Sequence, residues 1–207
     1  MKHMINENHI VIGITGGAGS GKSTIVEYIC ENYDTEFIHC DVIAHELMEP
    51  GRESYTALIN EYGEKILDGK QIDRQKLLKA VTETQEGFKR LNMITHPCVT
   101  REVLKRIGNS VHKYIVIEAA LLIESGLTKI CDDVWFVFAD KDERIQRIKK
   151  SRNWDDKKID EIFKNQMSDE EFKSHSTFVI DNHDGCNAYI NDINERIKFL
   201  DCKNNNC

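Results

Sequence analysis

Five short apolar runs punctuate the chain: Ile10–Ile14, Phe37–Asp41, Tyr114–Glu118, Val134–Phe138 and Phe178–Asn182. Each has the length and the Ile, Val and aromatic content of a buried strand. Between them, apolar residues recur at helical spacing. Ile25, Val26 and Ile29 share one face of a helix beginning near Lys22. A helix over Val42–Glu49 stops at Pro50-Gly51, and the next carries Tyr55, Leu58, Ile59 and Tyr62 and ends at Gly63. Gly69–Arg74 predicts a turn into a helix capped by Asp73, with Leu77, Leu78 and Val81 inward. Phe88, Leu91, Ile94, Val99, Val103, Leu104 and Ile107 continue the pattern across His96-Pro97. After a turn at His183-Asp184-Gly185, a last helix presents Tyr189, Ile190, Ile193, Ile197 and Leu200 inward. The polar tail Asp201–Cys207 is expected to fray.

Strands alternating with helices predict an α/β fold, a parallel sheet sandwiched by helices. The stretch between the second and third runs holds roughly 70 helical residues, more than one crossover requires. It predicts an inserted helical subdomain over 42–111 with room for a second substrate. A chain of 207 residues suits one domain with such an insertion.

Composition adds exclusions. An apolar content of 40% and a charged content of 30% are those of a soluble globular protein. The net charge of −7 argues against a broad nucleic-acid surface. Polar Met1–Asn8, and no apolar run approaching ~18 residues, predict neither a signal peptide nor a membrane span, hence a cytoplasmic protein. The expected partners are small molecules, with no nucleic acid and no membrane, and the chain is expected as a monomer or weak oligomer. Seven cysteines, without a C-x-x-C pair, predict reduced thiols, several of them in the core.

The chemistry starts at Gly16-Gly17-Ala18-Gly19-Ser20-Gly21-Lys22-Ser23-Thr24, between the first strand and the first helix. This is G-x-x-x-x-G-K-S in strand–turn–helix context, a P-loop. Its glycines let successive backbone N–H groups, from Gly17 to Thr24, curl toward a polyphosphate, and the helix start adds its positive dipole end. Lys22 reaches the β- and γ-phosphates of ATP, and the Ser23 hydroxyl ligates Mg²⁺.

Other candidates carry two readings each. Asp41 closes the second run, which sets it near the mouth of the loop if ligands lie beyond the strand ends, and it equally suits the N-cap of the next helix. Glu118 closes the third run and suits a Mg²⁺-bound water, a helix cap or a salt bridge. Leu121 to Gly126 follows as an apolar turn beside the site. Residues 144 to 158 carry seven Lys and Arg against Asp155 and Asp156. There Arg144 and Arg147 share a helix face, with Arg152 just beyond. The group suits either a phosphate clamp on a mobile lid or a solvated face. His96 before Pro97 suits a helix break, and Arg74 a solvated or ion-paired side chain.

In order and spacing these motifs resemble the dephospho-CoA kinase family over nearly the whole chain. The resemblance rests on Ile12 to Thr24, Asp41-Val42-Ile43-Ala44, Pro50-Gly51, Tyr62-Gly63, Ile72-Asp73-Arg74 and His96-Pro97. It continues through Leu121-Leu122-Ile123-Glu124, Arg144 to Arg152, Gln166 and Val179-Ile180-Asp181-Asn182. It implies a single P-loop kinase domain over 1–207, of P-loop NTPase type. The core would be 8–41, 112–143 and 176–201, the acceptor-binding insertion 42–111 and the lid 144–175. The implied reaction moves the ATP γ-phosphoryl group to the ribose 3′-hydroxyl of dephospho-CoA, with the acceptor between core and insertion. Lys22, Asp41 and Arg147 would be catalytic, Asp41 as general base and Arg147 as the lid arginine on the nucleotide phosphates. Gly17 to Thr24 would hold the nucleotide with Arg144 and Arg152, and Gln166 falls in the segment that closes the lid. Asp41, Arg74, His96, Leu121 and Glu124 would meet the acceptor, and Ser23 and Glu118 the metal.

The chain departs from the family pattern at three places. His39-Cys40-Asp41 replaces a frequent Asp-Ala-Asp, Glu118 and Ala120 replace a common Asp and Pro, and Arg144 replaces a frequent Gln. A P-loop kinase acting on another small acceptor, such as a nucleoside monophosphate, is the nearest rival. A GTPase would need N/T-K-x-D, and Thr128-Lys129-Ile130-Cys131 lacks the Asp.

Overall fold

The computed structural model describes residues 9–152, 154–183 and 188–204. Asp184, Gly185, Cys186, Cys207 and residues 1–8 lie outside them. In chain order the elements are β1 (Ile10–Thr15), α1 (Lys22–Asn32), β2 (Thr35–His39), α2 (Cys40–Glu46) and α3 (Glu53–Tyr62). Next come β3 (Leu67–Asp68), β4 (Gln71–Ile72), α4 (Arg74–Thr82), α5 (Gly87–Asn109), β5 (Tyr114–Glu118) and β6 (Asp133–Phe138). The last are α6 (Lys141–Arg152), α7 (Asp156–Asn165), α8 (Asp169–Ser174), β7 (Phe178–Asp181) and α9 (Ala188–Asn204). They form two compact units, one from 1–38 with 110–207 and the other His39–Asn109.

The first unit is built on a five-stranded sheet in the order β2-β5-β1-β6-β7. The pairs β1–β5, β1–β6 and β6–β7 run parallel. The register sets Ile14 against Glu118 and Thr15 against Phe136, so the strand ends that lead into the P-loop and the acid of β5 lie level. Every residue of β1 is buried, as a central strand covered on both faces requires. Alternate residues Ile10, Ile12 and Ile14 join Ile25, Val26 and Ile29 of α1 and Ile193, Ile197 and Leu200 of α9 in one core. The chain end is a correction. Asp201 belongs to α9, where it accepts from the Tyr114 hydroxyl at 2.7 Å and pairs with Lys113 at 2.8 Å. A polar sequence stays helical there because a core residue, Leu200, and two partners on β5 and its approach hold it.

The second unit packs Leu58, Ile66, Leu77, Ala80 and Val81 into its own core. Asp73 caps α4 as expected, accepting from the Lys76 N–H at 2.8 Å. Four readings are corrected here. The region is not all helix, since β3 and β4 pair as a small antiparallel hairpin around Gly69, whose φ is 59°. Two-residue strands carry too little alternation to read. Pro97 lies inside continuous α5, because the buried stripe Cys98, Val99, Val103 and Ile107 outweighs one lost hydrogen bond. Leu78 is 53% and Phe88 55% exposed, since α4 turns Leu77, Ala80 and Val81 inward and α5 buries Gly87. Finally, β2 stops at His39 and α2 starts at Cys40, so Asp41 is neither a strand end nor an N-cap. Burial of Cys40 and Ile43, three apart, draws the helix start forward.

Among the described residues no disulfide forms: Cys40, Cys98 and Cys131 are buried thiols, and Cys30 and Cys202 exposed ones.

Candidate active site

In the first unit the loop from Gly16 to Gly21 closes on α1 as the motif requires. Gly19 and Gly21 adopt φ of 78° and 90°, left-handed values that a β-carbon disfavours. There is also no space for one. A β-carbon on Gly19 would stand 2.5 Å from the Arg144 carbonyl oxygen, and one on Gly21 would strike the Asn182 carboxamide. Thr15 Oγ1 and Ser20 Oγ are buried without a hydrogen-bond partner among the described residues. Lys22 Nζ donates to the Gly16 carbonyl at 2.9 Å and the Gly17 carbonyl at 3.4 Å, which holds the ammonium over the loop. Ser23 and Thr24 are exposed on the first turn of α1, and Glu118 is half-buried beside Ile14. A hydroxyl and a carboxylate are hard oxygen ligands of the kind Mg²⁺ takes, with water and phosphate completing the shell.

The arginines of α6 engage the loop through its carbonyls. Arg144, only 6% exposed, donates from Nε to the Ala18 carbonyl at 3.0 Å and from a terminal nitrogen to Gln166 Oε1 at 3.1 Å. Gln166 Oε1 also accepts from the Ala18 N–H at 3.1 Å, so one carboxamide oxygen bridges loop and arginine. The Arg144 guanidinium lies 4.5 Å over the Phe163 ring and 3.4 Å from Asp169. Burial pushes its pKa down and Asp169 opposes the shift. Arg147 donates to the Ser20 carbonyl at 3.3 Å, the Gly19 carbonyl at 3.5 Å and the Asn182 carbonyl at 2.7 Å. Asn182, buried at the end of β7, donates in turn to the Ser20 carbonyl at 2.8 Å. Arg152, the last residue of α6, stacks on Trp154 at 4.8 Å. Leu121 and Glu124 are exposed on the turn that follows β5.

Thus Gly17 to Thr24, Lys22, Arg144 and Arg147 come together at one loop, and Gln166 and Asn182 complete its support. Asn182 was present in the sequence only as part of a motif. Nothing local marks it as a partner of Ser20, 162 positions away.

In the second unit, Asp41 is exposed in the first turn of α2, and Arg74 is the first residue of α4. Both act electrostatically on His45. Partial burial and the Arg74 charge hold this imidazole below its ordinary pKa, while Asp41 pulls upward and His39 adds to the depression. His96 is half-buried within α5.

Comparison with known proteins shows the family to which the chain is similar. The family model described as Dephospho-CoA kinase matches residues 10–188. A protein of that name from Oceanobacillus iheyensis is 34% identical over 84% of this chain and 89% of its own. One from Carboxydothermus hydrogenoformans is 36% identical over 83% and 85%. A crystal structure from Thermus thermophilus superposes with a TM-score of 0.77 at 25% identity, covering 95% of this chain and 98% of its own.

Proposed function

The chain belongs to the dephospho-CoA kinase family, and from that premise we propose that it transfers the ATP γ-phosphoryl group to the ribose 3′-hydroxyl of dephospho-CoA, giving coenzyme A and ADP. The observation that carries the donor half is the P-loop cradle, with Lys22 held over its carbonyls and two arginines braced against it.

Phosphoryl transfer needs alignment and charge neutralisation more than covalent help. In this reading Lys22 exchanges the Gly16 and Gly17 carbonyls for β- and γ-phosphate oxygens when ATP enters. Within Gly17 to Thr24, N–H groups other than those of Ala18, Ser20 and Thr24, which donate to Gln166 Oε1 and to the Gly17 and Gly21 carbonyls, bind the remaining oxygens. Ser23 and Glu118 are the residues that would hold Mg²⁺, which when bound offsets charge on the β- and γ-phosphates. Arg144 and Arg147 keep the loop in its binding shape and add positive potential beside it, and Arg152 approaches the nucleotide as the lid of residues 144–175 closes. Asp41 orients the acceptor hydroxyl and takes its proton late in the step. Arg74, His96, Leu121 and Glu124 contact the acceptor, with the unit His39–Asn109 acting as the acceptor-binding insertion. The protein acts in the cytoplasm as a monomer or weak oligomer, without nucleic-acid or membrane partners.

The test is incubation of the purified protein with ATP, Mg²⁺ and dephospho-CoA, read by mass spectrometry. One added phosphate on the 3′ position, with one ADP released per product, is expected. Release of ADP only with nucleoside monophosphates, or with no acceptor tried, overturns the reading.

A further inference from the structure

Two cations at the junction of α6 and α7, Arg152 and Lys158, meet one aromatic ring and, among the described residues, no carboxylate. The Trp154 ring centroid lies 4.8 Å from the Arg152 guanidinium carbon and 4.5 Å from Lys158 Nζ. The other arginines of α6 are paired, Arg144 with Asp169 and Arg147 with Glu143. The two acids that stand between Arg152 and Lys158 in sequence are engaged elsewhere. Asp155 caps α7 by accepting from the Lys158 N–H at 2.8 Å, and Asp156 pairs with Lys149 at 2.5 Å.

Two positive charges held on one ring repel each other, and the negative face of the indole offsets only part of that repulsion. An anion that reached both would offset the rest. The N–H groups of a guanidinium lie in its own plane, and an ammonium carries three rotatable donors. Contact with the ring therefore leaves both groups able to donate to phosphate oxygens. The cap and the Lys149–Asp156 pair meanwhile fix the start of α7 against the end of α6. Arg152 lies five residues beyond Arg147, about 7.5 Å along the helix axis, and on another face. A closing movement, and not present contact, is what brings it to phosphates bound at the loop.

We propose that Trp154 is a positioning residue of the nucleotide site, gathering Arg152 and Lys158 into a clamp for the ATP phosphates that engages as residues 144–175 close. The assignment rests on the proposed kinase reading, in which Arg152 approaches the nucleotide. It adds Lys158 as a second phosphate contact and Trp154 as the group that sets the spacing of the two cations.

Calorimetric binding of a non-hydrolysable ATP analogue with Mg²⁺ tests the assignment in Trp154→Leu and Trp154→Phe, beside steady-state kinetics with ATP and dephospho-CoA varied separately. Leucine keeps apolar bulk but has no π face. Trp154→Leu should weaken analogue binding and raise the KM for ATP about fivefold, with the KM for dephospho-CoA changed less than about twofold. Trp154→Phe should restore most of the affinity. In the double variant with Arg152→Ala, the two losses should combine to less than their product, because the ring acts through the guanidinium. Unchanged analogue affinity in Trp154→Leu, binding by the leucine variant as tight as by the phenylalanine one, or losses that multiply in full overturn the clamp. Should Trp154→Leu not fold, Lys158→Ala carries the test: about threefold weaker analogue binding is expected, and unchanged affinity overturns the clamp. Wild-type protein that binds the analogue but makes no phosphorylated product overturns the kinase reading and not the clamp, so the two failures are distinct.

Discussion

Asp41 carries the acceptor side of the proposed chemistry from an exposed position in the first turn of α2, where a carboxylate complements the helix dipole. Asparagine keeps the size and one acceptor oxygen but takes no proton. Asp41→Asn should therefore lower kcat by roughly 10²- to 10⁴-fold, while ATP affinity stays near that of the wild type. Turnover close to wild type would remove Asp41 from the mechanism, and parallel loss of ATP binding would make its role structural. The residue's identity was legible in the sequence, but its setting was not. An apolar run ending in Asp reads as a strand end, whereas burial of Cys40 and Ile43 starts the helix at Cys40, two residues before the expected Val42. Lys22 and the glycines were legible because local backbone geometry dictates them. The contacts of Arg147 with Gly19, Ser20 and Asn182 were not, since a carbonyl partner leaves no trace in composition.

At the scale of elements, the P-loop takes its shape from β7 and α6 as much as from its own glycines. Asn182 is the joint: its N–H donates to the Phe138 carbonyl at 2.9 Å, its side chain to Ser20, and its carbonyl accepts from Arg147. Asn182→Ala would leave the Ser20 carbonyl without this buried donor and cost about 1–3 kcal/mol. The loop should loosen, weakening binding of a non-hydrolysable ATP analogue by roughly tenfold in calorimetry, at about 1.4 kcal/mol per decade. Analogue affinity unchanged in the variant would show that the loop keeps its shape without Asn182. Periodicity found the strands and the long helices because each buries a continuous face. It missed the β3–β4 hairpin, and it took His96-Pro97 for a break because a proline weighs more in a local reading than the buried stripe on both sides of it.

Across the molecule, the first unit leaves off at residue 38 and resumes at 110, so its sheet is completed only after the whole second unit has been made. What ties its last helix to its centre is Asp133, 3% exposed at the start of β6. Arg196 of α9 grips it with two nitrogens, each at 2.7 Å, while Trp135 Nε1 and the Thr177 hydroxyl donate at 2.6 and 2.5 Å. The guanidinium is also flanked by Phe178 at 5.1 Å and Phe199 at 4.8 Å. Burial alone would raise the Asp133 pKa, but the donors from Arg196, Thr177 and Trp135 together prevail and hold it below the usual carboxylate value. A carboxyl with a depressed folded-state pKa stabilises the fold fully above its unfolded value of about 3.9, and that contribution disappears as pH falls through the folded pKa. Wild-type stability in urea should accordingly fall as pH drops from about 5 toward 2. Asp133→Asn keeps the shape but leaves Arg196 unpaired, so it should be about 3 kcal/mol less stable at pH 7. Its acid limb should also be flatter, because it lacks the titrating group. If both proteins lose stability in parallel over that range, the acid sensitivity lies in other carboxylates and this network is only a packing feature. No sequence pattern announces the network: its members lie on β6, before β7 and on α9, and only the closed sheet brings them within hydrogen-bond reach.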